Sequence, residues 1–204
     1  MSLLAINSSA RMEGSNSRAL VEYFSQRWVD SGRASSVIDR DLVKNPLPAL
    51  SPADLVGVHG SHEVTDANAS LAQHLALSGQ LIDELKAADT VVFGLPMYNF
   101  GVPFYLKQWV DYICRAGVTF RYGENGPEGL TGVQRAVVIT ASGGTPIGSE
   151  ADFASRYIEH LCGFIGIEHV DHINASGSKR TPELVLQNGR AEIDALIEQI
   201  AATA

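Results

Sequence analysis

Three segments of the 204-residue chain carry side chains whose type and order suit the binding of a ligand. The first reads Ser8-Ser9-Ala10-Arg11-Met12-Glu13-Gly14-Ser15-Asn16-Ser17-Arg18. It follows an apolar run and opens a helical pattern. A helix start presents free N–H groups and the positive end of the macrodipole, so acidic residues are favoured in its first turn. Here that turn holds Ser15, Asn16, Ser17 and Arg18. Together with Ser9, these hydroxyl, amide and backbone donors could cradle a phosphate monoester. Glu13 has the wrong sign and fits only if it points to solvent. The plainer alternative makes Ser15 an ordinary N-cap, worth about 1 kcal/mol to its helix. No Gly-Lys-Ser/Thr and no Gly-x-Gly-x-x-Gly occurs, so neither the Walker A loop nor the dinucleotide fingerprint applies.

The second segment is Gly94-Leu95-Pro96-Met97-Tyr98-Asn99-Phe100-Gly101-Val102-Pro103. Large apolar side chains leaving a buried strand are costly to expose, so Met97, Tyr98 and Phe100 should wall something flat and aromatic. Asn99 has both a donor and an acceptor, matching the alternating carbonyl, N–H and carbonyl edge of a flavin. An aromatic turn closed by Pro103 would serve the same residues equally well. The third segment is Thr140-Ala141-Ser142-Gly143-Gly144-Thr145-Pro146. Paired glycines let backbone N–H groups come close to a ligand, and such donors near a flavin's pyrimidine oxygen would stabilise negative charge there. A simple tight turn remains open as the other reading.

These segments are placed by a regular alternation of apolar runs and helical patterns, the rhythm of a doubly wound α/β domain. Strands are expected at Leu3 to Asn7, Ser36 to Asp39, Val91 to Leu95, Ala136 to Thr140 and Ile167 to Ile173. The third and fourth are continuously apolar, as in strands buried on both faces. The last alternates with Glu168 and His169 and reads as an edge. Leu20, Phe24 and Trp28 mark one helix, and Leu71, Leu75, Ile82 and Leu85 a second. Phe153, Ile158 and Leu161 mark another, expected to stop at Gly163. The final helix opens with Thr181 and Pro182. The helix from Pro103 to Ala116 is apolar nearly all round, which suits either a deep core position or a contact between two subunits. Asn45 to Ala67, rich in Pro, reads as an unusually long loop. Five strands and five helices make one domain over 1–204, with ligands expected outside the carboxyl ends of the strands.

Composition narrows the function classes. With 45% hydrophobic and 19% charged residues the chain is an ordinary globular one, and its net charge of −8 makes nucleic acid an unsuitable partner. Met1 to Asn7 is too short an apolar run for a secretion signal, and nothing approaches the ~20 apolar residues of a membrane span. The two cysteines, Cys114 and Cys162, lie in apolar helical patterns that suit buried thiols. A cytoplasmic location with no membrane contact is therefore expected. Cys114 and Arg121 are one position too far apart for a phosphatase loop. No metal site is expected: His169 and His172 fall on opposite faces of a strand. His59 and His62 have loop spacing, while His74 and His160 lack helical ligand partners.

Taken together, these segments resemble the FMN-dependent NADH-azoreductase and NAD(P)H:quinone oxidoreductase family, which is flavodoxin-like. The resemblance covers nearly the whole chain. It is closest in the Ser-rich first loop, in Pro96-Met97-Tyr98-Asn99-Phe100, and in Gly117-Val118-Thr119-Phe120-Arg121-Tyr122 through Gly126-Pro127-Glu128-Gly129-Leu130. Ser142-Gly143-Gly144 and Gly163-Phe164-Ile165-Gly166-Ile167 fit as well. The resemblance implies a homodimer with one FMN per subunit, and NADH or NADPH as co-substrate. Ser9, Ser15, Asn16 and Ser17 would hold the phosphate. Met97, Tyr98, Asn99 and Phe100 would contact the flavin, as would Ala141, Ser142, Gly143 and Gly144. Phe120 and Tyr122 would close the substrate pocket, from the partner subunit. It implies ping-pong reduction of quinones and aromatic azo compounds. No dedicated catalytic side chain is expected, because a flavin carries hydride chemistry itself, and product protons would come from water or Tyr122. Thr145-Pro146-Ile147-Gly148 and the residues around His59 depart from the family pattern and bear on acceptor choice. The alternative is a flavodoxin-type electron carrier with no NAD(P)H oxidation of its own.

Overall fold

A computed structural model describes residues 1–60 and 69–202. Thirteen elements follow one another: β1 (Ser2–Asn7), α1 (Asn16–Asp30), β2 (Ser36–Asp41), α2 (Pro52–His59), α3 (Ala69–Lys86), β3 (Thr90–Pro96), α4 (Phe104–Ile113), β4 (Phe120–Gly123), β5 (Gly126–Gly129), β6 (Arg135–Ser142), α5 (Phe153–Ile165), β7 (His169–Ser176) and α6 (Pro182–Ala202). Five strands pair in parallel in the order β2-β1-β3-β6-β7. This is the expected flavodoxin-like sheet, whose strand order reverses between β1 and β3. The apolar runs of β3 and β6 fall on central strands, and their alternate side chains feed two separate cores.

On one face, Leu20, Val21, Phe24 and Trp28 of α1 pack with Val185, Ile193 and Ile197 of α6 over Leu3, Ala5, Val92 and Val137. On the other, α3, α4 and α5 press Leu81, Leu85, Leu106, Trp109 and Ile158 onto Leu4, Ile6, Phe93 and Val138. The predicted spacing in α1 therefore names its buried stripe. In α4 the apolar circumference divides. Leu106, Trp109, Val110, Tyr112 and Ile113 enter the core, while Phe104 stays 69% exposed.

Three elements differ from the sequence expectation. The stretch Asn45 to Ala67 is not all loop, because α2 forms within it; residues 61–67 of that stretch, His62 among them, lie outside those described. Ser51 caps α2, accepting from Asp54 N at 3.2 Å, and Pro52 sits in its first turn. Packing then holds it: the His74 ring nitrogen Nδ1 and the Tyr112 hydroxyl meet at 2.6 Å, and Asp54 lies beside His74 Nε2 at 3.7 Å. Burial first, and the Asp54 charge second, push the Tyr112 phenol up to about 12. Second, α5 runs through Gly163 and ends instead at Gly166, whose φ of 91° supplies the left-handed cap. Third, β4 and β5 form an antiparallel hairpin that no alternation announced. Its base is locked where Gly129 meets Gly166 so closely that a Cβ on Gly129 would lie 2.0 Å from Gly166 N.

Candidate active site

β1, β3 and β6 end side by side, and their following loops meet around a cavity of about 200 Å³. Ser9, Ser15, Asn16 and Ser17 line one side, and Met97, Tyr98, Ala141, Ser142 and Gly143 the other. Nine of the residues expected at a cofactor site are thereby brought together. Arg11, Pro96 and Ser178 complete the walls.

The α1 end of the cavity is built from hydroxyls. Ser15 is the N-cap, accepting from Arg18 N at 3.4 Å, and no acidic residue occupies the first turn. Ser15 Oγ donates to Ser9 Oγ at 3.0 Å and lies 3.3 Å from Ser17 Oγ. The Tyr98 hydroxyl comes within 3.5 Å of Ser9 Oγ and accepts from Ala10 N at 3.2 Å. Both readings of Ser15 hold at once, as cap and as part of a hydroxyl cluster. Glu13 is exposed. Arg18 turns away from the cluster: Nε and Nη2 donate to Ser9 O at 3.1 and 2.7 Å, and the guanidinium pairs with Asp41. Burial works against the Asp41 charge. Arg18 and the N–H groups of Lys44 and Val43 together outweigh it, holding the carboxyl below its usual range.

The β3 loop closes as a two-residue turn. Tyr98 and Gly101 exchange both backbone hydrogen bonds at 3.1 Å, and Asn99 and Phe100 take φ of 49° and 69°. Left-handed conformations at two consecutive non-glycine residues are strained, most of all for the bulky Phe100. Asn99 and Phe100 stand at the rim rather than in the cavity wall, and Phe100 is 54% exposed. Phe153 N donates to Phe100 O at 3.1 Å, tying the turn to the start of α5.

In the β6 loop, Ser142 Oγ is committed to Thr145 O at 2.5 Å, so the backbone is what this loop offers. Met97 N donates to Ala141 O at 2.7 Å, joining the β3 and β6 loops. Ser178 is the wall residue that sequence reading passed over; it follows β7, and its Oγ donates to Ser142 O at 3.3 Å. Gly144 lies outside the wall. So do Phe120 and Tyr122. Phe120 is buried, with its ring centroid 4.3 Å from that of Phe164, and Tyr122 is 75% exposed on the hairpin.

A family model described as the flavodoxin-like fold matches residues 1–199. The FMN-dependent NADH:quinone oxidoreductase 1 of Hahella chejuensis is 43% identical over 98% of this chain and 97% of its own length. The FMN-dependent NADH:quinone oxidoreductase of Azotobacter vinelandii is 42% identical over 98% of both chains. The chain belongs to this flavodoxin-like family of FMN-dependent NADH:quinone oxidoreductases. An azoreductase from Bacillus anthracis superposes with a TM-score of 0.86 at 26% identity, covering 98% of this oxidoreductase chain and 99% of that one.

The donor set suits a flavin mononucleotide in an oxidoreductase of this family. Uncharged hydroxyls and helix N–H groups, with no carboxylate among them, match a phosphate. Pro96 and Met97 opposite the backbone of 141–143 match a flat ring with polar edges.

Proposed function

We propose that this chain binds FMN at the rim of its sheet and uses NADH or NADPH to reduce quinones and aromatic azo compounds. The observation that carries the reading is the hydroxyl cluster of Ser9, Ser15, Ser17 and Tyr98 at a helix start free of acids. The activities named for its relatives give it a direction. FMN supplies the hydride chemistry when bound. Ser9, Ser15, Asn16 and Ser17 bind and orient the phosphate. Met97 to Phe100 and the turn from Ala141 to Gly144 position the ring and exclude water. NADH or NADPH and the acceptor occupy the same space in turn, a ping-pong order.

The working unit is a homodimer. Tyr122, Phe104, Phe153 and Phe100 are all more than half exposed, and a partner subunit would give them cover. In the dimer, Tyr122 and the hairpin carrying Phe120 reach toward the partner's cavity. Among the described residues no helix is long and apolar enough to cross a membrane. Cys114 and Cys162 are both free thiols, which accords with a cytoplasmic protein that keeps its cysteines reduced.

The test is a visible spectrum of the purified protein followed by steady-state NADH and NADPH oxidation with menadione. Flavin absorption bands and rapid turnover are expected. A colourless protein that takes up no added FMN would overturn the proposal. A yellow protein that oxidises neither nicotinamide would instead be an electron carrier.

A further inference from the structure

We propose that Arg18 and Asp41 form a positioning pair that orients the Ser9–Ala10 peptide and so makes the site select a phosphorylated flavin over a dephosphorylated one. The inference rests on the FMN reading above. Arg18 lies in the first turn of α1, where a free cation would be drawn to any phosphate. All three nitrogens of its guanidinium are engaged elsewhere. Nε and Nη2 converge on Ser9 O, and Nη1 and Nη2 take the two oxygens of Asp41, the second at 3.0 Å. Asp41, at the end of β2, is 3% exposed and is itself fixed by Val43 N and Lys44 N, both 3.0 Å from Oδ1. A planar fork held by a buried carboxylate has one orientation.

The consequence lies in the peptide that this fork holds. In a trans peptide the N–H points opposite to the carbonyl. With Ser9 O held on the Arg18 side, Ala10 N–H faces the other way and donates at 3.2 Å to the hydroxyl of Tyr98, a residue of the cavity wall. Rotating the same peptide would turn a carbonyl oxygen toward the seat and remove the donor that fixes the Tyr98 hydroxyl beside Ser9 Oγ. Arg18 therefore acts on the phosphate through Ser9 and Ala10. Asp41 neutralises the Arg18 guanidinium, so attraction of the anion is left to dipoles, hydroxyls and Arg11 in the wall.

Riboflavin shares the ring of FMN and lacks the phosphate, which gives a readout that general destabilisation does not move. The full chain, freed of flavin, is titrated with each ligand by fluorescence. Arg18→Lys keeps the charge and loses the fork. Asp41→Asn keeps an acceptor for the two N–H groups and loses the ion pair. Each should raise the FMN Kd about tenfold and leave the riboflavin Kd within about twofold. If one variant does not fold, the other carries the test. FMN affinity unchanged in the variants, or FMN and riboflavin affinities falling in parallel, would overturn the inference. A parent protein with no affinity for either flavin is a different result, and overturns the FMN reading beneath it.

Discussion

Replacing Phe100 with Gly should separate stability from flavin affinity, because this residue holds a conformation that its side chain disfavours. The Tyr98–Gly101 turn has positive φ at both central positions, 49° and 69°, the geometry for which Asn-Gly is preferred. Asn99 meets that preference, and Phe100 opposes it by about 1–2 kcal/mol. Its ring is 54% exposed, so burial returns about 1 kcal/mol of the 1.5–3 available to a fully covered Phe. Gly at this position removes the strain, forfeits that burial, and costs about 0.5–1 kcal/mol in backbone entropy. The net change is near zero. Ala keeps most of the strain and still loses the ring, so it should be destabilised by about 1 kcal/mol, or roughly 2–4 °C in Tm for a chain of this size. Both variants lose the ring that Phe100 places at the rim of the cavity and should bind FMN more weakly by similar factors. Thermal melts of flavin-free protein and fluorescence titrations of FMN read the two quantities separately. A Gly variant melting below the Ala variant would refute the strain argument. Either variant binding FMN as tightly as the parent would refute the role of the ring.

Other expectations follow from the same structure. Asn99→Ala should weaken FMN retention with little change in melting temperature; an unchanged FMN Kd would remove Asn99 from the site. Gly129→Ala should cost more than about 3 kcal/mol, because its Cβ would fall 2.0 Å from Gly166 N and 2.1 Å from Ile165 C. Gly163→Ala, in the last turn of α5 with open space around it, should instead stabilise by up to about 1 kcal/mol, and chemical denaturation orders the pair. Asp152 should make stability fall in acid. Burial opposes its charge, but Ser155 and the N–H groups of Gly148, Ser155 and Ala154 prevail and hold its carboxyl below the usual range. Its contribution is thus complete above the unfolded value of about 3.9 and is lost as pH drops through the folded one. Denaturation midpoints between pH 3 and 7 should decline less steeply in Asp152→Asn than in the parent, and parallel declines would count against the assignment. Cys162, buried with a thiol pushed up to about 12, should resist a thiol reagent until the protein unfolds.

What could be read from the sequence, and what could not, divides along physical lines. β1, β3 and β6 were legible because a strand buried on both faces must be continuously apolar, and α1 because one face must be apolar at every fourth residue. α2 was not legible. It spans only Pro52–His59, buries Asp54 and Val58, and leaves Val56 73% exposed, so no stripe rises above its Pro-rich surroundings. The β4–β5 hairpin was hidden for another reason. Phe120 is its one buried side chain, and the lock at its base is a contact between two glycines, which leaves no hydrophobic signature. Nor could any spacing rule give Arg18 its partner, since Asp41 is 23 residues away and meets it only once β2 lies beside β1.

The candidate site was legible for a reason of its own, namely that the chain violates local rules there. A helix start without an acid, a bulky residue at positive φ and large apolar side chains leaving a buried strand each work against folding when taken singly. The structure brings all three to one edge of the sheet. Sequences that fold well are locally consistent, and inconsistencies gathered at one place indicate selection for something besides stability. The strands β3 and β6 and the helix α1, by contrast, keep the periodicity that their burial requires. That contrast is what supports the proposed phosphate seat at the start of α1. It also accounts for Arg18, a cation in the first turn of a helix, which is tolerated because Asp41 cancels its charge and Ser9 uses its fork.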